Sequence, residues 1–292
     1  MKKIMVTGGN SGIGLALCTS LVEAGHRVFL GSRDPSRGAA AVANIGHPLC
    51  TLLVLDVASD DSVRAAATQL REALGGDTLY GLVNNAGVGL MHPDVSLHDI
   101  IDVNLFGAKR VTEAFLPMIQ SGGRIANTSS GAASSYIAGV MQGKPMGRAT
   151  ADQKRPLIDP DVTWEQIAAI VNLEEAGGFT MSPSGEGAGW CAYALSKAAL
   201  TAYAMLLART NPHLMVSSCT PGFINTKMTA GWGASLEPKE GIQSLEHCLF
   251  GALGGSGWYF GSDAVRSPLH YMRSPGEPAY DGSPGAPGEP AW

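Results

Sequence analysis

Thr7-Gly-Gly-Asn-Ser-Gly-Ile-Gly14 follows a short apolar run at residues 4–6 and opens a helical pattern over residues 12–24, which Gly25 closes. Glycines in such a strand-to-helix turn let the backbone bend tightly and come close to a pyrophosphate. The helix behind it offers free N–H groups and the positive end of its dipole to the same anion. The stretch therefore reads as a phosphate cradle at the front of a dinucleotide-binding fold. Outward from it, short apolar strands at residues 28–30, 52–55, 79–83 and 124–127 alternate with helical patterns at 36–44, 60–74, 95–104 and 105–119. Ser59 or Asp60 is placed to cap the third helix. The run at 52–55 is continuously apolar, as a strand buried on both faces is. Parallel strands need crossovers, and regular strand–helix alternation supplies them. The expected fold class is α/β, a doubly wound parallel sheet of Rossmann type.

The rhythm breaks at residues 131–189, a Gly-rich, Pro-containing stretch around one plausible helix at 162–175. It is too short for a robust core of its own, so it reads as a helical insertion in a single domain over residues 1–266. Alternation resumes with a helix at 190–208 and strands at 214–219 and 258–260. Residues 267–292 hold six Pro and four Gly in 26 positions, with Ser274-Pro-Gly-Glu-Pro-Ala279 loosely echoed after Ser283. Such a tail cannot easily pair its backbone and is expected to be irregular.

Composition narrows the classes. The chain of 292 residues is 45% hydrophobic and 15% charged, enough apolar material for one large core. A net charge of −5 with no basic block argues against nucleic acid or an acidic membrane surface as partner. Five scattered Cys without a C-x-x-C pair fit a reduced, cytoplasmic setting and no metal site. The first residues run straight into a strand, unlike a secretory signal. No apolar stretch is read as approaching the ~20 residues of a membrane span.

Three further places carry chemistry. In dinucleotide sites of this fold an acidic residue after the second strand bonds the ribose 2′-OH. Here Gly31-Ser32 is followed by Arg33, whose guanidinium can clasp a 2′-phosphate, with Arg37 as a second cation. This points to NADP(H), although Asp34 works against a phosphate. Asp56, at the end of the third strand, can accept from an adenine amino group or cap the next helix. Tyr193-Ala-Leu-Ser-Lys197 puts a phenol and an ammonium on one helical face. A nearby ammonium favours the phenolate, lowers the phenol pKa and makes it a better general acid or base. Ser129-Ser130 ends the fifth strand, at the sheet edge where open α/β folds bind ligands, and either hydroxyl can hold a substrate oxygen. Asn84-Asn-Ala-Gly87 ends the fourth strand with residues small enough for close approach to a cofactor.

These motifs, in this order, resemble the short-chain dehydrogenase/reductase family. T-G-x-x-x-G-I-G, N-N-A-G, a Ser after the fifth strand, Y-x-x-x-K and P-G-x-x-x-T at Pro221–226 all match, over residues 2 to 262. The resemblance implies that Tyr193 donates a proton to a carbonyl and Ser130 positions that carbonyl. It implies that Lys197 lowers the tyrosine pKa and holds the nicotinamide ribose, and that Asn104 anchors a proton-relay water. Cofactor contacts are implied at Gly8, Asn10, Ser11, Gly12, Ile13, Gly14, Arg33, Asp56, Val57, Asn85, Ala86, Gly87, Pro221, Gly222, Ile224 and Thr226, besides Tyr193 and Lys197. Ser11 departs from the Lys or Arg often found there in NADP-binding members. The T-G-G-N-x-G-I-G-L-A start and the 62 residues between Ser130 and Tyr193 look most like the monomeric carbonyl reductases.

The expected function is therefore NADPH-dependent reduction of a small-molecule ketone, aldehyde or quinone. The alternatives are an NAD(P)-linked alcohol dehydrogenase working oxidatively and a non-catalytic dinucleotide-binding regulator. Many relatives associate through the helix carrying Y-x-x-x-K and the one before it. The insertion helix has an apolar face at Val162, Ile167, Ile170 and Val171 that could cover that surface, so a monomer is expected.

Overall fold

Strands buried on both faces need apolar residues at every position, sorted by parity. In the first strand Ile4 and Val6 join one apolar cluster and Met5 the other; in the second, Val28 and Leu30 face one way and Phe29 the other. The computed structural model describes residues 1–89, 95–141, 144–179 and 187–282. The first half runs β1 (Lys3–Val6), α1 (Gly12–Glu23), β2 (Arg27–Ser32), α2 (Pro35–Ile45), β3 (Cys50–Val54), α3 (Asp60–Leu74) and β4 (Leu79–Asn84). It continues through α4 (Leu97–Ile101), a π-helical segment (Asp102–Gly107), α5 (Ala108–Phe115) and β5 (Ile119–Thr128). The insertion carries α6 (Ala132–Ala138), a small hairpin of β6 (Val140–Met141) and β7 (Lys144–Pro145), α7 (Ala151–Lys154) and α8 (Trp164–Ala176). Then come α9 (Ala188–Thr210), β8 (Met215–Cys219), α10 (Gln243–Phe250) and β9 (Trp258–Phe260).

Seven parallel strands lie in the order β3-β2-β1-β4-β5-β8-β9. Leu17, Leu21 and Leu245 of α1 and α10 fill one face, and Leu70, Val111 and Leu200 of α3, α5 and α9 the other. The expected Rossmann-type sheet is present. Ser59 caps α3 by accepting from Ser62 N, and Gly75 ends it in the left-handed region.

Three elements differ from the sequence reading. The helix expected to reach residue 119 stops at Phe115 because Pro117 cannot continue it, and β5 starts at Ile119 instead of 124. The helices expected at 95–104 and 105–119 are joined by the π-helical segment, which the apolar pattern does not mark. Helices α6 and α10 were not anticipated, α6 because its Ala and Ser residues carry no apolar period. Contrary to the reading of apolar runs, α9 is long and apolar enough to cross a membrane by length and composition. Within the protein 78% of that window is buried, because α9 packs between the sheet and the insertion.

The insertion is organised by a buried carboxylate. Glu174 of α8 is fully buried and accepts from Tyr136 Oη (2.8 Å), Arg148 N (2.8 and 2.9 Å) and Ala149 N (2.9 Å). Nearby, buried Lys154 donates to Tyr136 O (2.9 Å) and Met146 O (2.6 Å), and burial lowers its pKa. Residues 267–282 contain no helix or strand, but they are not loose. Buried Arg273 pairs with Asp263 and donates to Ser267 Oγ, Ser274 O and Glu277 O, satisfying carbonyls that a Pro-rich backbone cannot pair for itself. Residues 283–292 of the tail lie outside the described residues.

Glu174→Ala leaves a phenol and two N–H groups stranded and the Lys154 charge without its counterion. The unfolding free energy in a urea titration should fall by about 3–5 kcal/mol.

Candidate active site

The sheet order reverses between β1 and β4, and a cleft of about 510 Å³ opens above their carboxyl ends. That size suits a small organic ligand. Its floor is built by Thr7. The Thr7 hydroxyl accepts from Asn85 N (3.0 Å) and Ala86 N (2.9 Å), and the Asn85 side chain donates back to Thr7 O (3.0 Å) and Gly8 O (3.3 Å). The two loops are drawn so close that a Cβ on Gly8 (φ +64°) would lie 2.9 Å from Ala86 Cα. A Cβ on Gly14 would overlap Gly8 O and come within 2.5 Å of Asn85 Nδ2. No larger residue fits either position without breaking the floor.

At one end of the cleft stands Arg33, exposed and without a hydrogen bond or ion pair to any described residue. Asp34 is held elsewhere: its carboxylate caps α2 at Arg37 N (3.0 Å) and pairs with Arg37 Nε (2.9 Å), contacts that lower its pKa. The residue that argued against a phosphate is thus engaged with α2. Arg37 lines the cleft too, but its guanidinium serves Asp34. Asp56 lines the cleft and accepts from Ala58 N (3.0 Å) in a turn; the capping expected as its alternative role falls to Ser59.

At the other end α9 delivers Tyr193 and Lys197. Ser130, which accepts from Ala132 N (3.2 Å) at the start of α6, is hydrogen-bonded to Tyr193. Ser129 lines the cleft as well, but its hydroxyl is engaged by α9. Its buried hydroxyl lies 2.7 Å from Thr201 Oγ1 and donates to Lys197 O (3.2 Å), so it ties β5 to α9. The geometry separates two serines that the sequence left equivalent. Lys197 Nζ donates to Thr128 O (2.8 Å) and sits 5.7 Å from the centre of the Tyr193 ring. Burial lowers the Lys197 pKa to about 8. Burial also raises the Tyr193 pKa, against the opposing hydrogen bond from Ser130. Desolvation thus outweighs the lowering expected from Lys197, whose ammonium addresses a carbonyl. Asn104, held in the π-helical segment, brackets Val88: its Oδ1 accepts from Val88 N (2.8 Å) while its Nδ2 donates to Val88 O (3.0 Å) and Ser196 Oγ (3.1 Å).

Gly8, Asn10, Ser11, Gly12, Ile13, Gly14, Arg33, Asp56, Val57, Asn85, Ala86, Gly87, Tyr193, Lys197, Pro221 and Thr226 all line this one cleft. Four candidates do not. Asn104 stands behind Gly87 and Ser130 beside Tyr193. Gly222 is turned toward Ser262, and the Ile224 side chain is buried with its carbonyl taken by Thr229 Oγ1 (2.5 Å). The cleft also gains Ser32, Leu55, Val88, Val103, Thr128, Asn225, Lys227, Met228 and Pro238. Of these, Ser32 and Lys227 adjoin residues the motifs had singled out. Met228 and Pro238 carry no signal, since the loop after β8 folds over the cleft from outside any motif.

Residues 2–142 match the family model described as short chain dehydrogenase. The (+)-neomenthol dehydrogenase of Arabidopsis thaliana is 31% identical over 274 residues, covering 82% of this chain and 88% of that protein. The chain belongs to the short-chain dehydrogenase family. Within this oxidoreductase family, human carbonyl reductase (NADPH) 1 is 29% identical over 258 residues, covering 82% of this chain and 87% of its own. Among solved structures, salutaridine reductase from Papaver somniferum superposes with a TM-score of 0.74 at 25% identity, over 89% of this chain and 99% of that one. NADPH-bound carbonyl reductase from chicken fatty liver shares the fold at 20% identity, with a TM-score of 0.66 over 92% of this chain and 99% of that one.

Proposed function

We propose that this short-chain dehydrogenase is an NADPH-dependent carbonyl reductase in which Tyr193 protonates the substrate oxygen. One observation carries the reading: Tyr193, with Ser130 beside it, and the buried Lys197 stand at one end of a cleft whose far end holds Arg33, unpaired among the described residues. The residues suit a phosphorylated dinucleotide. The floor between Gly8 and Ala86 keeps side chains out of its path, Arg33 is available for a 2′-phosphate, and Asp34 is occupied by α2. When bound, NADPH supplies the hydride that reduces the carbonyl carbon. The chain supplies the rest. Ser130 and Tyr193 together grip the carbonyl oxygen, and the Tyr193 hydroxyl releases its proton to that oxygen as negative charge develops. Lys197, a charge from which water is excluded, favours the phenolate left behind. Asn104 fixes the backbone at Val88, beside the cleft. Relatives named carbonyl reductase (NADPH) and salutaridine reductase support reduction, while (+)-neomenthol dehydrogenase is named for alcohol oxidation. The intact Tyr–Lys–Ser set supports an enzyme over a non-catalytic binding protein.

The same reading takes the protein as a cytoplasmic monomer. All five Cys are unpaired thiols, as a reducing compartment keeps them. Trp164 of α8 packs edge-on against Phe106 and Tyr203 (5.8 and 5.7 Å between ring centres), with Lys109 over its ring. The insertion thereby covers the surface of α5 and α9 through which many relatives pair.

Tyr193→Phe removes only the donor hydroxyl. Its kcat for ketone reduction should drop roughly 100-fold or more, while NADPH affinity by fluorescence titration stays within about twofold. Arg33→Ala should weaken NADPH relative to NADH by about tenfold to a hundredfold, the worth of a charge-assisted phosphate contact, as read from the two dissociation constants. Sedimentation equilibrium at micromolar concentration should return the mass of one chain; a stable dimer would contradict the covering role of α8.

A further inference from the structure

Two tryptophans far apart in sequence meet beside Tyr193. Trp190 sits in the first turn of α9, its ring edge-on to Tyr193 with 6.4 Å between centres. Trp232 packs on Trp190 at 4.9 Å, tilted by 35°. Trp232 ends a turn that starts at Thr226, the residue whose methyl group reaches the glycine loop 3.3 Å from where Gly12 would carry a Cβ. Thr229 locks this turn: it accepts from Thr226 N (3.0 Å), donates to Ile224 O (2.5 Å), and its carbonyl accepts from Trp232 N (3.0 Å). One rigid turn thus has its cofactor-facing end at Thr226 and its aromatic end at Trp232.

Both indoles are only half-buried. A pair placed purely for packing would be sunk in the core, as Phe29 and Phe115 are. Here aromatic surface is left open next to the reactive hydroxyl. The surroundings are apolar as well. Phe223, on the loop leading to Thr226, is 48% exposed. Met272, 59% exposed, brings Cε 3.4 Å from where Gly131 would carry a Cβ, next to Ser130. Open apolar surface of this kind, beside Tyr193, beside Ser130 and on the loop to Thr226, suits an apolar ligand.

We propose that Trp190 and Trp232 form the substrate-side wall of the site and select carbonyl compounds whose C=O is bonded directly to a planar aromatic ring. The proposal rests on the reductase reading above. A carbonyl oxygen gripped by Tyr193 fixes the carbonyl carbon within about 4 Å of the phenol oxygen. With Trp190 only 6.4 Å from the tyrosine ring, a ring joined to that carbon falls within reach of the indole. A flat π-face gains there by stacking or edge contact; a puckered saturated ring of the same size gains only dispersion. A small acyclic ketone does not reach the wall.

The test compares acetophenone with cyclohexyl methyl ketone, which matches it in size but lacks the π-face. Dissociation constants come from ligand-observed NMR titration onto the protein loaded with NADP⁺, where no turnover occurs. Values of kcat/KM come from NADPH oxidation. Wild type should favour acetophenone in both, and Trp190→Leu and Trp232→Leu, which keep apolar bulk, should each shrink that preference by roughly two- to tenfold. NADPH affinity in both variants should match wild type, which shows that the fold and the cofactor end are intact. Equal affinity of wild type for the two ketones, or a preference unmoved in both Leu variants, overturns the wall while leaving the reductase standing. A wild type that binds NADPH and acetophenone yet reduces neither ketone, nor any other carbonyl tried, overturns the reductase reading and the wall's role in selection together.

Discussion

Gly8 and Ala86 touch backbone to backbone, and the cleft depends on that contact. Thr7 makes it by holding two consecutive N–H groups of the β4 loop on one hydroxyl. Asn85 closes it from the other side through two carbonyls of the glycine loop. The chain's topology requires the join. β1 and β4 are neighbours in space but are separated by three crossovers in sequence, so nothing covalent fixes their loops. Four short hydrogen bonds among buried or half-buried groups do it instead, and they leave a surface with no side chain to obstruct a phosphate chain.

Desolvation governs the chemistry at the opposite end. Lys197 is buried and Tyr193 half-buried, and burial pushes each toward its neutral form. A neutral phenol that can donate, next to a lysine whose charge is held by a carbonyl, is a proton source kept in reserve. On the reductase reading proposed above, it would act when negative charge appears on a substrate oxygen. The Ser130 hydrogen bond opposes burial and keeps the phenol hydroxyl directed. Ser129, one residue earlier, spends its hydroxyl on α9 and so keeps the helix that carries both groups in register with β5.

The insertion builds on the same frame. It holds its helices by a buried carboxylate and a buried ammonium that share partners around Tyr136, not by a second core. Charges so placed are costly to bury, and they tolerate one arrangement of neighbours. Tyr136 stands on α6, which begins two residues after Ser130, while α8 reaches across to α9. The clamp therefore connects the two elements whose spacing sets the Ser130–Tyr193 contact.

The sequence by itself determined the alternation of strands and helices, the phosphate cradle, the Tyr–Lys face and the arginine after β2. All of these are local: a period, a turn or an i, i+4 spacing expresses them within a few residues. Only the tertiary structure decided the rest. It tied the Ser129 hydroxyl to α9 and left Ser130 beside Tyr193, which depends on how β5 ends relative to α9. It set Asp34 aside, because the start of α2 claims its carboxylate. It brought Met228 and Pro238 to the cleft from a segment without a motif. It also gave an irregular tail an anchor in Arg273. Each of these depends on contacts between residues distant in the chain, and a one-dimensional pattern does not carry distances in space.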